Sequence, residues 1–237
     1  MSQPSNTAIR GLLFDKDGTL FDFHLSWSHW IAGLIDTLSE GVDARRAHIA
    51  ECLEYDWENK RFLPGALSIA GTVKEQAAVL SPALPHWSTD AIERYLVQAA
   101  AHVAMVPAVP LAPLLTGFRA SGLAVGLATN DAESAARRHL EGAEIIDKFD
   151  YIAGYDSGYG AKPAPGMCLG FAKAHGLDPA TCVMVGDSAH DLVAGRAAGM
   201  VTVAVLTGMA GPAELAPLAD AVLPDIGALP DWLSTRA

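Results

Sequence analysis

Apolar residues follow three different patterns along this chain, and each pattern predicts a different kind of structure. Residues 9–14 form a short apolar run that is typical of a buried β-strand. Between residues 21 and 105, apolar residues recur at helical spacing and strand-like alternation is scarce. After residue 106, short apolar runs alternate with helical segments. Near-continuous apolar strands that alternate with helices predict a parallel sheet covered on both faces.

The helical block and the alternating half can each be divided into elements. In the block, four helices are expected, at 27–38, 44–57, 65–79 and 89–103, with Ser88 or Thr89 as the N-cap of the last. The later strands are expected at 122–129, 151–153, 182–185, 201–205 and 221–223. Helices are expected at 111–119, 132–140, 165–175 and 192–198, with a helical turn at 231–233. An all-helical block directly after the first strand is an insertion, so the chain predicts an α/β fold with an inserted helical unit.

Composition and charge narrow the class of protein. The 237 residues suffice for one large domain, or for one domain with a smaller insert, and 51% of them are hydrophobic. The net charge of -11 argues against a nucleic acid or an anionic membrane as partner. The three cysteines are widely spaced, which favours reduced thiols over disulfide bonds. Residues 1–7 lack the apolar core of a signal peptide, and the apolar runs of the chain are shorter than a membrane-spanning helix. We therefore expect a cytoplasmic protein.

Polar residues with chemical potential stand where three predicted strands end. Asp15, Thr129 and Asp187 lie at the carboxyl ends of such strands, and ligands of parallel sheets bind beyond these ends. Asp15 and Asp17 are one residue apart, and Gly18 lets the chain curl so that both carboxylates converge. Two close carboxylates repel unless one is protonated or a cation lies between them, and Mg2+ prefers such oxygen ligands.

Four short motifs, in order, resemble those of the haloacid dehalogenase superfamily, in its phosphatase branch. The first is Asp15-Lys16-Asp17-Gly18-Thr19-Leu20, and the second is Thr129-Asn130. The third is Lys162 followed by Pro163, and the fourth is Gly186-Asp187 with Asp191 four residues later. The resemblance spans residues 9–205 and implies a Rossmann-like, doubly wound core of residues 1–20 and 106–237. It further implies that residues 21–105 form a helical cap that closes over the active site.

The resemblance also implies roles for individual residues. Asp15 would attack phosphorus, and Asp17 would act as general acid and base. Mg2+ would be held by Asp15, by the Asp17 backbone carbonyl and by Asp187. Thr129, Asn130 and Lys162 would bind the phosphoryl group. Thr19 would orient Asp17 or cap its loop, and Asp191 would support the metal shell, whereas His190 is not expected to be a ligand.

The substrate is less well defined by the sequence. Residues 57–65 resemble the cap turn that reads substrate in the phosphoglycolate phosphatase group. Arg61 of that turn could bind a small carboxylate with help from Lys60, or the turn could simply be solvated, and His24 at the hinge could face the substrate. The expected function is hydrolysis of a small phosphorylated metabolite by a monomer or homodimer. A β-phosphoglucomutase-like phosphotransferase and a catalytically idle binding protein remain alternatives.

Overall fold

The computed structural model describes residues 8–63 and 66–236, which contain eight strands and eleven α-helices. The strands are β1 (Gly11–Phe14), β2 (Tyr55–Asp56), β3 (Arg61–Phe62), β4 (Ala124–Ala128), β5 (Tyr151–Ala153), β6 (Cys182–Gly186), β7 (Val201–Val205) and β8 (Ala221–Leu223). The helices are α1 (Phe23–Ser39), α2 (Asp43–Cys52), α3 (Leu67–Ala70), α4 (Val73–Leu80), α5 (Thr89–Ala100), α6 (Leu111–Ala120), α7 (Glu133–Gly142), α8 (Gly166–Ala174), α9 (Ala189–Ala197), α10 (Pro212–Leu215) and α11 (Leu229–Ser234).

Six of the strands form one parallel sheet in the order β5-β4-β1-β6-β7-β8. The first strand lies near the centre, where Phe14 is paired with Leu127 of β4 and with Val185 of β6. The carboxyl ends of β1, β4 and β6 therefore lie side by side. The residues that follow these three strands meet at one edge of the sheet, as the sequence predicts.

Both faces of the sheet are covered, because side chains alternate along each strand. Leu12 and Phe14 pack in a buried cluster with Leu115 of α6. Leu13, between them, packs on the opposite face with Phe171 of α8. The predicted α/β class, a doubly wound parallel sheet with an inserted helical unit, is confirmed.

The inserted helices have an apolar core of their own. Ile35 of α1, Ile49 of α2, Leu80 of α4 and Ile92 of α5 are fully buried within it. The prediction that Ser88 is an N-cap is confirmed, since its side chain accepts a hydrogen bond at the start of α5. The division into a core of residues 1–20 and 106–237 and a cap of residues 21–105 stays a prediction.

Two predicted cap helices are wrong in their extent. The helix predicted at 44–57 ends at Cys52, because Glu54 adopts a left-handed φ of 51° that a helix does not continue through. The chain then forms a hairpin in which Tyr55 pairs with Phe62, their ring centroids 5.4 Å apart. This hairpin adds a small two-stranded sheet to a cap that the sequence predicts to be all-helical.

The helix predicted at 65–79 is divided into α3 and α4. It is interrupted at Gly71, after which Thr72 and Glu75 form a capping box that starts α4. Residues 64 and 65, proposed as the start of this helix, lie outside the described residues, as do residues 1–7. Helices of sufficient length and apolarity to cross a bilayer are absent from residues 8–63 and 66–236.

Candidate active site

Asp15, directly after β1, forms a buried ion pair with Lys162. The Lys162 Nζ atom donates to Asp15 Oδ1 at 2.6 Å, to Asp191 Oδ1 at 2.5 Å and to the Ala128 carbonyl at 2.8 Å. An ammonium has three donors, so these three acceptors fully occupy it. Three of the predicted site residues, far apart in sequence, are thus brought together at the carboxyl edge of the sheet.

The loop that carries Lys162 is fixed by Asn130. The Lys162 backbone N–H donates to Asn130 Oδ1 at 2.8 Å, and Asn130 Nδ2 donates to the Lys162 carbonyl at 2.9 Å. Next to it, Thr129 is 2% exposed, and its hydroxyl accepts a hydrogen bond from the Asp131 N–H at 3.1 Å. The Asn130 amide thus holds the lysine loop, and the phosphate-binding role of Asn130 stays a prediction.

Asp187, directly after β6, is a buried carboxylate packed against two glycines. A Cβ at Gly18, whose φ is +74°, or at Gly208 would overlap the Asp187 carboxylate. Carboxylate oxygens of Asp15, Asp187 and Asp191 lie within 4.8 Å of one another. Asp191 is also bound elsewhere, because its Oδ2 accepts from the Ser188 N–H and hydroxyl at the start of α9.

Asp17 lies at the pocket with both carboxylate oxygens held. Trp27 Nε1 of α1 donates to Asp17 Oδ1 at 2.7 Å, and Lys16 Nζ lies 2.7 Å from Asp17 Oδ2. The indole of Trp27 belongs to the inserted helices, and the ammonium of Lys16 belongs to the loop after β1. The orientation of this carboxylate therefore depends on how the two parts of the chain meet.

Lys16 is completely buried, which is rare for a lysine. Besides Asp17, its ammonium contacts Asp131 Oδ2 at 3.3 Å and His139 Nδ1 at 3.0 Å. Since an ammonium only donates, His139 Nδ1 is the acceptor, and its Nε2–H donates to the Ala100 carbonyl at 2.9 Å. Burial and the Lys16 charge lower the pKa of His139, which is consistent with this neutral form.

The loop after Asp17 is held from two sides. Thr19 is fully buried, and its hydroxyl donates to Asp187 Oδ1 at 3.5 Å. The sequence predicts that Thr19 orients Asp17 or caps its loop, but the contact found is to Asp187. From beyond β7, Thr207 donates to the Gly18 carbonyl at 2.6 Å. The loop after β7 thus supports the loop after β1.

The cap side of the pocket is lined mostly by apolar side chains, including those of Phe23, Trp30, Ile31, Phe62, Val73 and Leu96. The predicted substrate-reading residues lie elsewhere. Arg61 is exposed, with its Nε 3.4 Å from Asp56 Oδ2, and Lys60 Nζ lies 2.9 Å from the ring centroid of Trp57. His24 is also exposed. Contact of these three residues with substrate stays a prediction that this geometry does not support.

Burial and neighbouring charges shift the pKa values of three groups of the site. Burial, opposed by Lys162 and reinforced by Asp191, raises the pKa of Asp15 to about 7. Burial, with Asp191 and Asp15 nearby, raises the pKa of Asp187 well above its usual value. Burial alone would lower the pKa of Lys162, but Asp15 and Asp191 outweigh it and raise the value. Clustered buried oxygens of this kind fit a hard divalent ion.

Sequence reasoning does not identify four residues of this arrangement. Lys16 is assigned no role within the first motif, and Trp27 is predicted only as one apolar position of an amphipathic helix. His139 meets Lys16 across 123 residues, and Gly208 is one glycine among 22. The available signal is local: a lysine between two aspartates needs an anionic neighbour if the loop is buried.

Comparisons with known proteins agree with this geometry. The family model for haloacid dehalogenase-like hydrolases matches residues 9–199. A phosphoglycolate phosphatase of Neisseria meningitidis is 37% identical over 116 residues, which are 48% of this chain and 49% of that protein. The matched segment thus spans about half of that relative. A phosphoglycolate phosphatase of Chromobacterium violaceum is 30% identical over 211 residues, which are 87% of this chain and 89% of that protein.

The fold also matches solved structures. A predicted phosphoglycolate phosphatase from Haemophilus somnus has a TM-score of 0.73 at 17% identity, covering 97% of this chain and 99% of that one. On the sequence match over most of its length and on the sheet-edge motifs, the chain belongs to the haloacid dehalogenase-like hydrolases and resembles their phosphoglycolate phosphatases.

Proposed function

We propose that this protein is a Mg2+-dependent phosphatase that hydrolyses a small phosphomonoester through an aspartyl-phosphate. The observation that carries the proposal is the convergence of Asp15, Lys162 and Asp187 at one edge of the sheet, with Asp17 facing the same pocket. A nucleophile, a general acid and a charge-stabilising cation are the parts that such a reaction needs.

In the first step, a carboxylate oxygen of Asp15 attacks phosphorus. The bond from phosphorus to the ester oxygen breaks as Asp17 gives its proton to that oxygen, and the alcohol leaves. The Lys162 ammonium fixes the Asp15 carboxylate by its Oδ1 atom, which restricts the direction of attack. Thr129 lines the pocket and supplies a hydroxyl to the phosphoryl oxygens.

In the second step, a water molecule attacks phosphorus of the aspartyl-phosphate. Asp17 takes a proton from this water, the bond from phosphorus to Asp15 breaks, and phosphate and the original carboxylate are released. Trp27 and Lys16 keep the Asp17 carboxylate at the pocket throughout. Both steps therefore use the same acid–base group in opposite directions.

Asp15, Asp187 and the Asp17 backbone carbonyl would hold Mg2+, and Asp191 would orient Lys162 and the start of α9. Bound there, the ion supplies charge neutralisation for the phosphoryl oxygens and for the clustered carboxylates. The raised pKa values of Asp15 and Asp187 support this assignment, because a buried carboxylate with a raised pKa is stabilised by an added positive charge.

The test uses the purified chain with Mg2+ and an aryl phosphate. We expect Asp15→Asn to abolish phosphate release, and Asp147→Asn, the same change at an exposed aspartate paired with Lys148, to leave it intact. Rapid acid quench followed by mass analysis should detect a phosphoryl group on Asp15 of the active protein. Full activity of Asp15→Asn would refute the mechanism. Adding a sugar phosphate acceptor tests whether transfer competes with hydrolysis, as expected for a phosphotransferase.

A further inference from the structure

The pocket above Asp15 has two chemically different ends. The core end holds the charged groups of the proposed phosphate site. The cap end is lined by aromatic and aliphatic side chains from α1, β3, α4 and α5, among them Phe23, Trp30, Phe62, Val73 and Leu96. Gln76 of α4 contributes a neutral amide to the same end. A substrate with its phosphoryl group on Asp15 would therefore place its leaving alcohol against an apolar wall.

The cationic side chains of the cap do not face this wall. Arg61 is paired with Asp56 at the surface, Lys60 lies on the ring of Trp57, and Lys74 of α4 is exposed. Of the pocket-lining residues that the structure describes, only Lys162 is a lysine or arginine, and it is bound to Asp15 and Asp191. His190 also lines the pocket, and it belongs to the core, at the start of α9 and directly before Asp191.

A second anionic group on the substrate would be poorly accommodated here. A carboxylate removed from water without a partner is strongly disfavoured, and the carboxyl groups of Asp17 and Asp131, which also line the pocket, offer it no positive charge. An aryl or alkyl group, in contrast, would gain by removal of its surface from water. The wall thus selects against the charge that phosphoglycolate carries at its far end.

We infer that the preferred substrate is the phosphomonoester of an uncharged, largely apolar alcohol, with its aryl or alkyl group against the cap wall. This inference rests on the proposed function, since it takes the phosphoryl group to lie at Asp15. It names a class of leaving group that differs from the glycolate of the relatives.

The test compares kcat/KM of the full chain with Mg2+ for benzyl phosphate and for phosphoglycolate. Both are esters of primary alcohols, so the chemistry at phosphorus is similar while charge and apolar area differ. Benzyl phosphate should be preferred by at least about tenfold, because one methylene of pocket complementarity already changes selectivity by roughly 10- to 200-fold. Equal values, or a preference for phosphoglycolate, would overturn the inference and leave the phosphatase proposal intact.

A variant with a positive charge on the apolar wall provides a second test of the inference. Gln76→Arg should raise kcat/KM for phosphoglycolate by roughly tenfold, since a guanidinium can pair with the substrate carboxylate. Gln98→Arg is the matched control, because it adds the same charge on the exposed side of α5. An unchanged or lower value for phosphoglycolate with Gln76→Arg, in a variant whose melting matches wild type, would contradict the argument from charge. Absence of hydrolysis of either ester by wild type would instead refute the proposed function itself.

Discussion

Replacement of Trp27 by phenylalanine isolates one contact of the proposed general acid. The change removes the indole N–H that donates to Asp17 Oδ1 at 2.7 Å and keeps an aromatic ring on α1. The other oxygen of Asp17 still contacts Lys16 at 2.7 Å, so the carboxylate retains half of its support. The substitution should therefore loosen Asp17 without unfolding the cap.

The size of the effect follows from the kind of bond that is lost. A hydrogen bond to a charged group contributes about 1.5–3 kcal/mol. Each 1.36 kcal/mol of transition-state stabilisation corresponds to about tenfold in rate. Because Lys16 still holds the second oxygen, we expect the lower end of this range, which is about tenfold in kcat/KM for an ester whose leaving oxygen must be protonated.

The assay should separate the proton-transfer role from a general loss of activity. An alkyl phosphate needs protonation of its leaving oxygen, whereas p-nitrophenyl phosphate has a leaving group that departs readily as an anion. Trp27→Phe should thus lower kcat/KM for the alkyl ester about tenfold more than kcat/KM for the aryl ester, because kcat/KM covers the reaction only up to departure of the alcohol, whereas hydrolysis of the aspartyl-phosphate is common to both esters. Trp30→Phe is the control, because the Trp30 ring centroid lies 5.1 Å from that of Trp27 while the bond to Asp17 comes from Trp27.

Two results would refute this reasoning. The first is an equal loss with both esters, which would assign the indole to packing or to substrate binding. The second is a loss in Trp30→Phe as large and as selective as that in Trp27→Phe. Urea denaturation of each variant shows whether the fold is retained.

Three further predictions concern the buried charges. Lys16→Met leaves Asp17 without its buried counter-charge, so the unfolding free energy should fall by about 3–5 kcal/mol in urea titrations. Gly208→Ala, whose Cβ would overlap the carboxylate at the end of β6, should reduce Mg2+-dependent phosphate release, while Gly211→Ala, with open space around it, should not. The pKa of Asp15 is raised to about 7, so the folded state keeps a proton that the unfolded chain releases. Metal-free stability should then decline from about pH 4 to about pH 7, and added Mg2+ should raise the melting temperature more at the higher pH.

The sheet and its motifs could be predicted because their signals are local. Each apolar strand is a continuous run, so the predicted bounds of β5, β7 and β8 match those observed. In a parallel sheet the carboxyl ends of the strands share an edge, which made the proximity of Asp15, Thr129 and Asp187 predictable. The order of the strands, with β1 between β4 and β6, could not be predicted from the sequence. This order determines which of these residues are neighbours.

The cap and the buried charges were less predictable because their determinants are distant in sequence. The hairpin of β2 and β3 depends on the packing of Tyr55 against Phe62, and each strand is too short to show an alternating pattern. The burial of Lys16 depends on His139 and Asp131, which reach it from the other half of the chain. The residues beside Lys16 indicate an anionic neighbour, but they do not indicate that His139 and Asp131 also reach its ammonium.

The two buried lysines explain how so many carboxylates can share one edge of the sheet. Lys162 stands between Asp15 and Asp191, and Lys16 stands between Asp17 and Asp131, so each ammonium separates two carboxylates that would otherwise repel. Asp187 is the fifth carboxylate, and the Thr19 side chain gives it a neutral hydroxyl. The ammoniums leave an excess of negative charge at the place where a phosphate dianion would have to enter. A divalent cation beside Asp187 would offset most of that excess, which supports binding of the metal before binding of the substrate.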